Sequence, residues 1–276
     1  MKWILIGLLV LSRVAEVFGA GENGTPGGRP AALGRVSVAL TGIGSLFGNQ
    51  AAMPWGEGWQ AEAFAENRFL MKELCYESAG ISWSGRPGAF GVVLSFFGFQ
   101  LYNEFNAGIS YAKKFGRRFS AGVELNYIRV QIAEGYGSTG TASCAVGFIY
   151  RPDAHWTIGM QISNPVALRL TDHPVERLPV IFRLGGGYLI ADLVLILLEG
   201  EKDLENPFQI KSGVEVRLTR AIFGRIGLLT GPMTITGGFG FSLGRLVVDI
   251  ATGYQTALGF SPSISIGYSF GKKQQQ

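Results

Sequence analysis

The chain has 276 residues, 41 of them glycine, with 16% charged residues and a net charge of +4. Ordinary globular chains have about a quarter charged residues and about half this share of glycine. A disordered chain and an ordinary soluble enzyme are both excluded, and the charge excess is too slight to imply a nucleic-acid partner even at a sequence pI of 9.1.

Met1 and Lys2 form a short positive start, residues 3–11 are apolar, and small residues stand near Gly19 and Ala20. This is the pattern of a secretory signal over residues 1–19. The apolar run falls well short of the roughly 20 residues that a spanning helix needs. Residues 20–58 are rich in Gly, Ala and Pro and show no sustained period beyond 36–40, as expected of a plug or periplasmic lead-in. From residue 59 to 270 a two-residue period takes over, and residues 271–276 are left as a periplasmic tail.

Mean hydropathy is +0.24, yet after the signal no run of 18 apolar residues occurs, so the hydrophobicity is spread over short segments. That distribution predicts an all-β transmembrane antiparallel barrel. Fourteen strands are expected, with twelve as the alternative count: 60–67, 74–83, 88–97, 104–113, 119–130, 141–151, 156–163, 180–189, 192–199, 208–217, 221–229, 234–242, 245–253 and 262–270. In the last of these, Ile264, Ile266, Tyr268 and Phe270 fall on one face and only Ser and Gly on the other. An aromatic-terminated final strand is the expected signal for the barrel-assembly machinery, carried by Ile266, Tyr268 and Phe270.

Strand phase separates lumen from lipid. Charged side chains facing lipid cost up to about 2–4 kcal/mol each at mid-membrane, so the polar alternates are assigned inward: Glu104, Asn106, Glu124, Asn126, Arg183, Lys211, Glu215, Arg217, Arg225 and Asp249. Two roles are open to them: pairing with one another or with the N-terminal segment, or forming a solute-selecting constriction. Inward positions such as Gly185, Gly187, Thr236, Gly238 and Gly240 leave room for a plug backbone or a narrow channel.

Connections after even-numbered strands are tight and mostly basic. Those at 134–140, 164–179, 200–207 and 254–261 read as longer loops, with an acidic excess in Glu134, Asp172, Glu176, Glu201, Asp203 and Glu205. Short periplasmic turns opposite long extracellular loops put both termini in the periplasm of an outer-membrane protein.

Catalytic and metal motifs are missing. His155 and His173 have no carboxylate or Cys at ligand spacing, and no G-x-S-x-G elbow or phosphate loop occurs, so no enzyme activity, metal or cofactor is expected. Cys75 and Cys144 read as two free thiols, Cys144 pointing to lipid. The aromatics Phe96, Phe97, Phe99, Tyr102 and Phe105, and Trp83, Tyr150 and Trp156 at the opposite rim, fit interfacial girdles. The sharper alternative is an outward hydrophobic groove, partnered by Val166, Leu168, Leu170, Leu178 and Val180.

Several short motifs carry a resemblance. Residues 36–40 followed by Leu46-Phe47-Gly48-Asn49-Gln50-Ala51-Ala52, then Glu66-Asn67-Arg68-Phe69, Tyr102-Asn103-Glu104, Asn164-Pro165 and Leu258-Gly259-Phe260-Ser261-Pro262, resemble the PorV/PorQ family of Bacteroidetes outer-membrane proteins. These are fold relatives of the FadL-type fatty-acid channels, whose corresponding segment has Asn-Pro-Ala. Here Asn49, Gln50 and Ala51 occupy that hatch motif, with Gln50 where Pro would stand. The resemblance implies a fourteen-stranded barrel with an N-terminal hatch. It also implies one of two functions: passive transport or binding of small hydrophobic molecules, or a non-conducting docking role in type IX secretion or another envelope complex. The expected partners are therefore outer-membrane lipid, the assembly machinery, and either a hydrophobic small molecule or secretion-system proteins.

Overall fold

The computed structural model describes residues 24–133, 137–165, 169–172, 175–203 and 206–270. The signal assigned to 1–19, the tail at 271–276, and Glu134, Val166, Leu168, His173 and Glu205 lie outside the described residues.

Fourteen antiparallel strands close into one barrel, which settles the count against twelve. They are β1 (Gly58–Asn67), β2 (Cys75–Gly85), β3 (Gly88–Gly98), β4 (Tyr102–Phe115), β5 (Phe119–Ile132), β6 (Gly137–Tyr150), β7 (Trp156–Ser163), β10 (Ile181–Ile190), β11 (Val194–Asp203), β12 (Gln209–Arg217), β13 (Ile222–Thr230), β14 (Met233–Leu243), β15 (Leu246–Gln255) and β16 (Gly259–Ser269). Between β7 and β10 a separate two-stranded hairpin, β8 (Arg169–Asp172) and β9 (Val175–Arg177), stands outside the barrel sheet. The sequence pattern did not reveal it.

Each barrel strand pairs with its neighbours in the chain, and β1 closes on β16 from Gln60↔Ser269 to Glu66↔Ser263. One further bond, Phe270 N–H to the Trp59 carbonyl, ties the last described residue to the first strand. Both barrel ends therefore lie at the rim that bears the tight turns, since Gly58 pairs with Ser84 beside the β2–β3 turn.

The two faces obey the alternation. Ile264 and Ile266 are exposed, while Ser263, Ser265 and Ser269 are buried. Val123, Leu125 and Tyr127 point out, and Gly122 and Ile128 point in. An outer surface of this kind, Ile109 60% and Leu198 58% exposed, is the lipid-facing belt of a transmembrane barrel. At the tight-turn rim it ends in aromatic contacts, Trp83 with Phe90, Phe90 with Tyr111, and Trp156 with Tyr188.

Two loop expectations need correction. The connections expected at 134–140, 200–207 and 254–261 shrink, because Gly137–Gly140, Gly200–Asp203 and Gly259–Ser261 continue the ladders of β6, β11 and β16. Glycine and serine suggested turns there, but paired backbone is better satisfied inside a ladder than in a loop. The longer links are the β7–β10 connection and residues 68–74 between β1 and β2, so the loop-length asymmetry is weaker than expected. Glu201, assigned to an acidic loop, is instead in β11 and faces inward. Leu178, expected beside an outward groove, is fully buried against Ile128 and Val130 of β5. Phe97 likewise turns in, packing on Tyr76. Cys75 and Cys144 are free.

Candidate functional site in the barrel lumen

Residues 24–57 form two short helices, Gly28–Ala32 and Ser45–Gly48, and a 3-10 turn, Gln50–Trp55. Among the described residues, four of the five apolar clusters join this segment to inward strand faces. Ala31 and Ala32 meet Phe64, Tyr76 and Ala251; Leu33, Val36 and Leu40 meet Leu197; Leu46 and Met53 meet Ala89, Val93 and Ala112; Ala51 and Ala52 meet Ile149. The small inward residues are its seats. A Cβ at Gly213 would stand 2.8 Å from Leu33, and one at Gly185 would stand 2.8 Å from Val38. Gly34 and Gly227 meet backbone to backbone, Gly34 in a left-handed conformation at φ +65° that glycine adopts without steric cost.

Polar contacts tether the same segment. Arg29 donates to Glu215 through Nε at 2.9 Å and Nη2 at 2.7 Å. Glu215 also accepts from Arg225 Nε at 2.6 Å, and Arg225 Nη1 reaches Asp249. Glu62 lines the same small space as Arg29, Arg225 and Asp249. Glu199 Oε2 accepts from the N–H groups of Ser37 and Val38 at 2.7 and 2.8 Å. Lys211 bonds both Glu199 and Glu201, and Glu201 also holds Arg183. From Arg183 the chain continues through Gln161 to Gln50.

Asn49 and Gln50, expected to belong to a hatch, are bonded into the wall. Asn49 Nδ2 lies within hydrogen-bond reach of the Val38, Phe148 and Met160 carbonyls, and its Oδ1 accepts from Ala51 N–H at 3.1 Å. Gln50 Nε2 donates to the carbonyls of Gly122 and Ala145. Next to it, Ser120 donates to the Ala51 carbonyl and accepts from Trp55 Nε1. Lys114 and Arg151 lie over the Trp55 ring, at 4.3 and 4.8 Å. On the loop-bearing side, Glu66 pairs with Arg35 and Arg68, and Arg68 lies between the Tyr76 and Phe97 rings. Burial holds the Arg68 guanidinium below its ordinary pKa.

The expected lumen residues thus fall into two groups and an outlier. Arg183, Lys211, Glu215, Arg225 and Asp249 belong to the network that meets the segment. Glu104, Asn106, Glu124 and Asn126 face inward from β4 and β5 instead. There Glu104 accepts from Tyr102 Oη at 2.6 Å, and Glu124 accepts from Ser110 and Asn126. The Oδ1 atoms of Asn106 and Asn126 are buried with no partner among the described residues. Arg217 joins neither group; it lies over Phe223 at 5.8 Å. Ile266, Tyr268 and Phe270 face out, with Tyr268 and Phe270 edge to face at 4.7 Å.

Sequence reasoning missed Arg29, Arg35, Glu62, Glu66, Gln161, Glu199 and Glu201. The spacings Glu62-x-x-x-Glu66 and Glu199-x-Glu201 place each pair on one strand face and were the available signal.

No family model matches the chain, and no curated protein matches it by sequence. Solved structures do match. The CymD monoaromatic hydrocarbon channel superposes with a TM-score of 0.71 at 13% identity, covering 91% of this chain and 99% of that one. The fold is that of the FadL-type barrels. The Ralstonia pickettii toluene transporter TbuX gives 0.68 at 12% identity over 90% of this chain and 100% of its own. A Pseudomonas aeruginosa FadL homologue gives 0.67 at 11% identity over 90% and 99%. Among the described residues the wall is unbroken here: β1–β2, β2–β3 and β3–β4 pair in continuous register.

Proposed function

We propose that this is an outer-membrane barrel for the passive transport or binding of small hydrophobic molecules, with residues 20–58 as the plug that gates the lumen and both termini in the periplasm. The fold similarity to hydrocarbon channels supports the substrate class. The observation that carries the gating role is the tethering of residues 24–57 to strands well separated around the barrel, by Arg29 to β12 and by Gln50 to β5 and β6. Ion pairs hold the segment in one register, and displacing it exposes a lumen of glycine, serine and charge. The test is conductance in planar bilayers: the full-length protein is expected to stay closed and a deletion of 24–55 to conduct. Equal conductance would refute gating.

A second reading starts from the same ion pairs. The lumen charges of β10–β15 pair with one another and with the segment, as a non-conducting docking component of the PorV/PorQ kind would require. On that reading, gentle purification from native membranes recovers a stoichiometric partner and the deletion does not change transport.

A further inference from the structure

Inside the barrel, three carboxylates meet two guanidinium groups. Glu215 of β12 accepts from Arg29 and Arg225 with both of its oxygens, and Asp249 of β15 accepts from Arg225 Nη1 and faces Ser265 Oγ at 3.4 Å. Glu62 of β1 is the third acid. It lines one small space with Arg29, Arg225 and Asp249, is 8% exposed, and among the described residues has no ion-pair partner. The group thus carries one negative charge more than its two arginines balance. The next guanidinium groups along that face of β1, Arg35 and Arg68, are held by Glu66, about 13 Å further along the strand at the usual rise per residue.

The space limits what can balance this charge. Its cavity volume is about 10 Å³, at the lower limit for a single water molecule, so a hydrated cation does not fit and a proton does. Elimination places the proton, because Glu215 and Asp249 are already held by arginine and Glu62 is not. Glu62 is flanked across the ladders by Gly80 of β2 and Gly267 of β16, so the charged groups facing it are Arg29 from the segment, Arg225 from β13 and Asp249 from β15. The segment closes over it. A Cβ at Gly44 would collide with Glu62 Oε2, and one at Gly27 would stand 3.6 Å from Oε1.

We propose that Glu62 binds one proton while the segment is seated, and that loss of this proton unlatches the segment, locking the plug at low pH and releasing it as pH rises. The inference deepens the gating reading and rests on residues 24–57 being a plug. An ionised Glu62 would be an uncompensated charge under the segment's backbone, which is strongly disfavoured, whereas displacing the segment lets water reach it. A proton held in the seated state and not in the displaced one shifts the balance towards displacement by up to about tenfold per pH unit.

Infrared difference spectra of the full-length protein between neutral and alkaline pH test the proton, since surface carboxylates are already ionised at neutral pH. Wild type is expected to lose a protonated-carboxyl band; Glu62→Gln should lack that band and Glu124→Gln should keep it. Asp249→Asn, which brings the charges to two and two, should lack it as well. Amide exchange over residues 27–45 tests the latch, read as the ratio of wild type to Glu62→Gln at each pH so that the intrinsic pH dependence cancels. The ratio should stay near one while the band is present and rise by up to about tenfold per pH unit once it is lost. Heat-modifiable electrophoretic mobility confirms that each variant is folded. A band that survives Glu62→Gln, a ratio that is flat across pH, or a ratio set by sodium concentration and not by pH would each overturn the proposal. Exchange reads seating and not current, so a failure of the conductance test for gating is distinguished from a failure of the latch.

Discussion

Arg29 and Glu215, separated by 186 residues in the chain, form a two-pronged ion pair at 2.9 and 2.7 Å. Bidentate geometry fixes orientation as well as distance. The remaining Glu215 contact goes to Arg225, so the carboxylate serves the segment and the wall at once. Removing one partner of a buried ion pair costs about 3–5 kcal/mol because charge is left uncompensated. Glu215→Ala, which strands two guanidinium groups, is therefore expected to lower stability by about that amount, with Arg29→Ala smaller because Arg29 is partly exposed. Urea unfolding in lipid vesicles followed by tryptophan fluorescence measures both.

Gly227 gives a test of steric fit. Its Cα faces the backbone of Gly34 with no space for a side chain. Gly227→Ala is expected to displace the N-terminal segment and make it sensitive to protease, while Gly237→Ala, whose new Cβ would have only a backbone carbonyl 3.6 Å away, leaves it protected. Limited proteolysis of the two folded variants decides. Equal protection would show that the seat at Gly227 can yield.

The resemblance in sequence sets Gln50 at a position where proline is expected. Here its amide bridges Gly122, Ala145 and Gln161, and an unsatisfied buried polar group costs about 1–3 kcal/mol. Gln50→Pro is accordingly expected to destabilise the segment by at least about 2 kcal/mol. Amide hydrogen exchange over 45–55 should then rise; unchanged protection would show that the amide bonds are dispensable.

Asp153, in the turn between β6 and β7, accepts from the Trp156 and His155 N–H groups at 2.9 and 2.8 Å, and these bonds hold its carboxyl below the ordinary aspartate value. A depressed folded pKa means that the turn's stabilisation is present above the ordinary value and is lost as pH falls through the lowered one. Carboxyl chemical shifts recorded against pH should show this midpoint below that of a free aspartate, and Asp153→Asn should leave the barrel intact.

All fourteen barrel strands were legible because a single-sided apolar period survives wherever lipid and lumen differ. β11 shows where that signal fails. Leu195 and Leu197 point in and Ile196 and Leu198 point out, so both faces are apolar and the inward phase of Glu199 and Glu201 is hidden. The opposite failure occurs at the strand ends, where Gly137–Gly140 and Gly259–Ser261 have turn composition but ladder pairing. The segment 24–57 has no sustained period beyond 36–40, and its partners lie on distant strands. Arg29 could be recognised as a ligand for Glu215 only once the barrel had brought them together.

The seats of the N-terminal segment also constrain assembly. Its anchors at Glu215, Gly227, Thr236 and Asp249 lie on β12 to β15, which are among the last strands to be synthesised. The part of the segment that meets these strands therefore reaches its place only after they have been made. The β1–β16 seam thus closes the wall around a segment whose seats lie on both early and late strands.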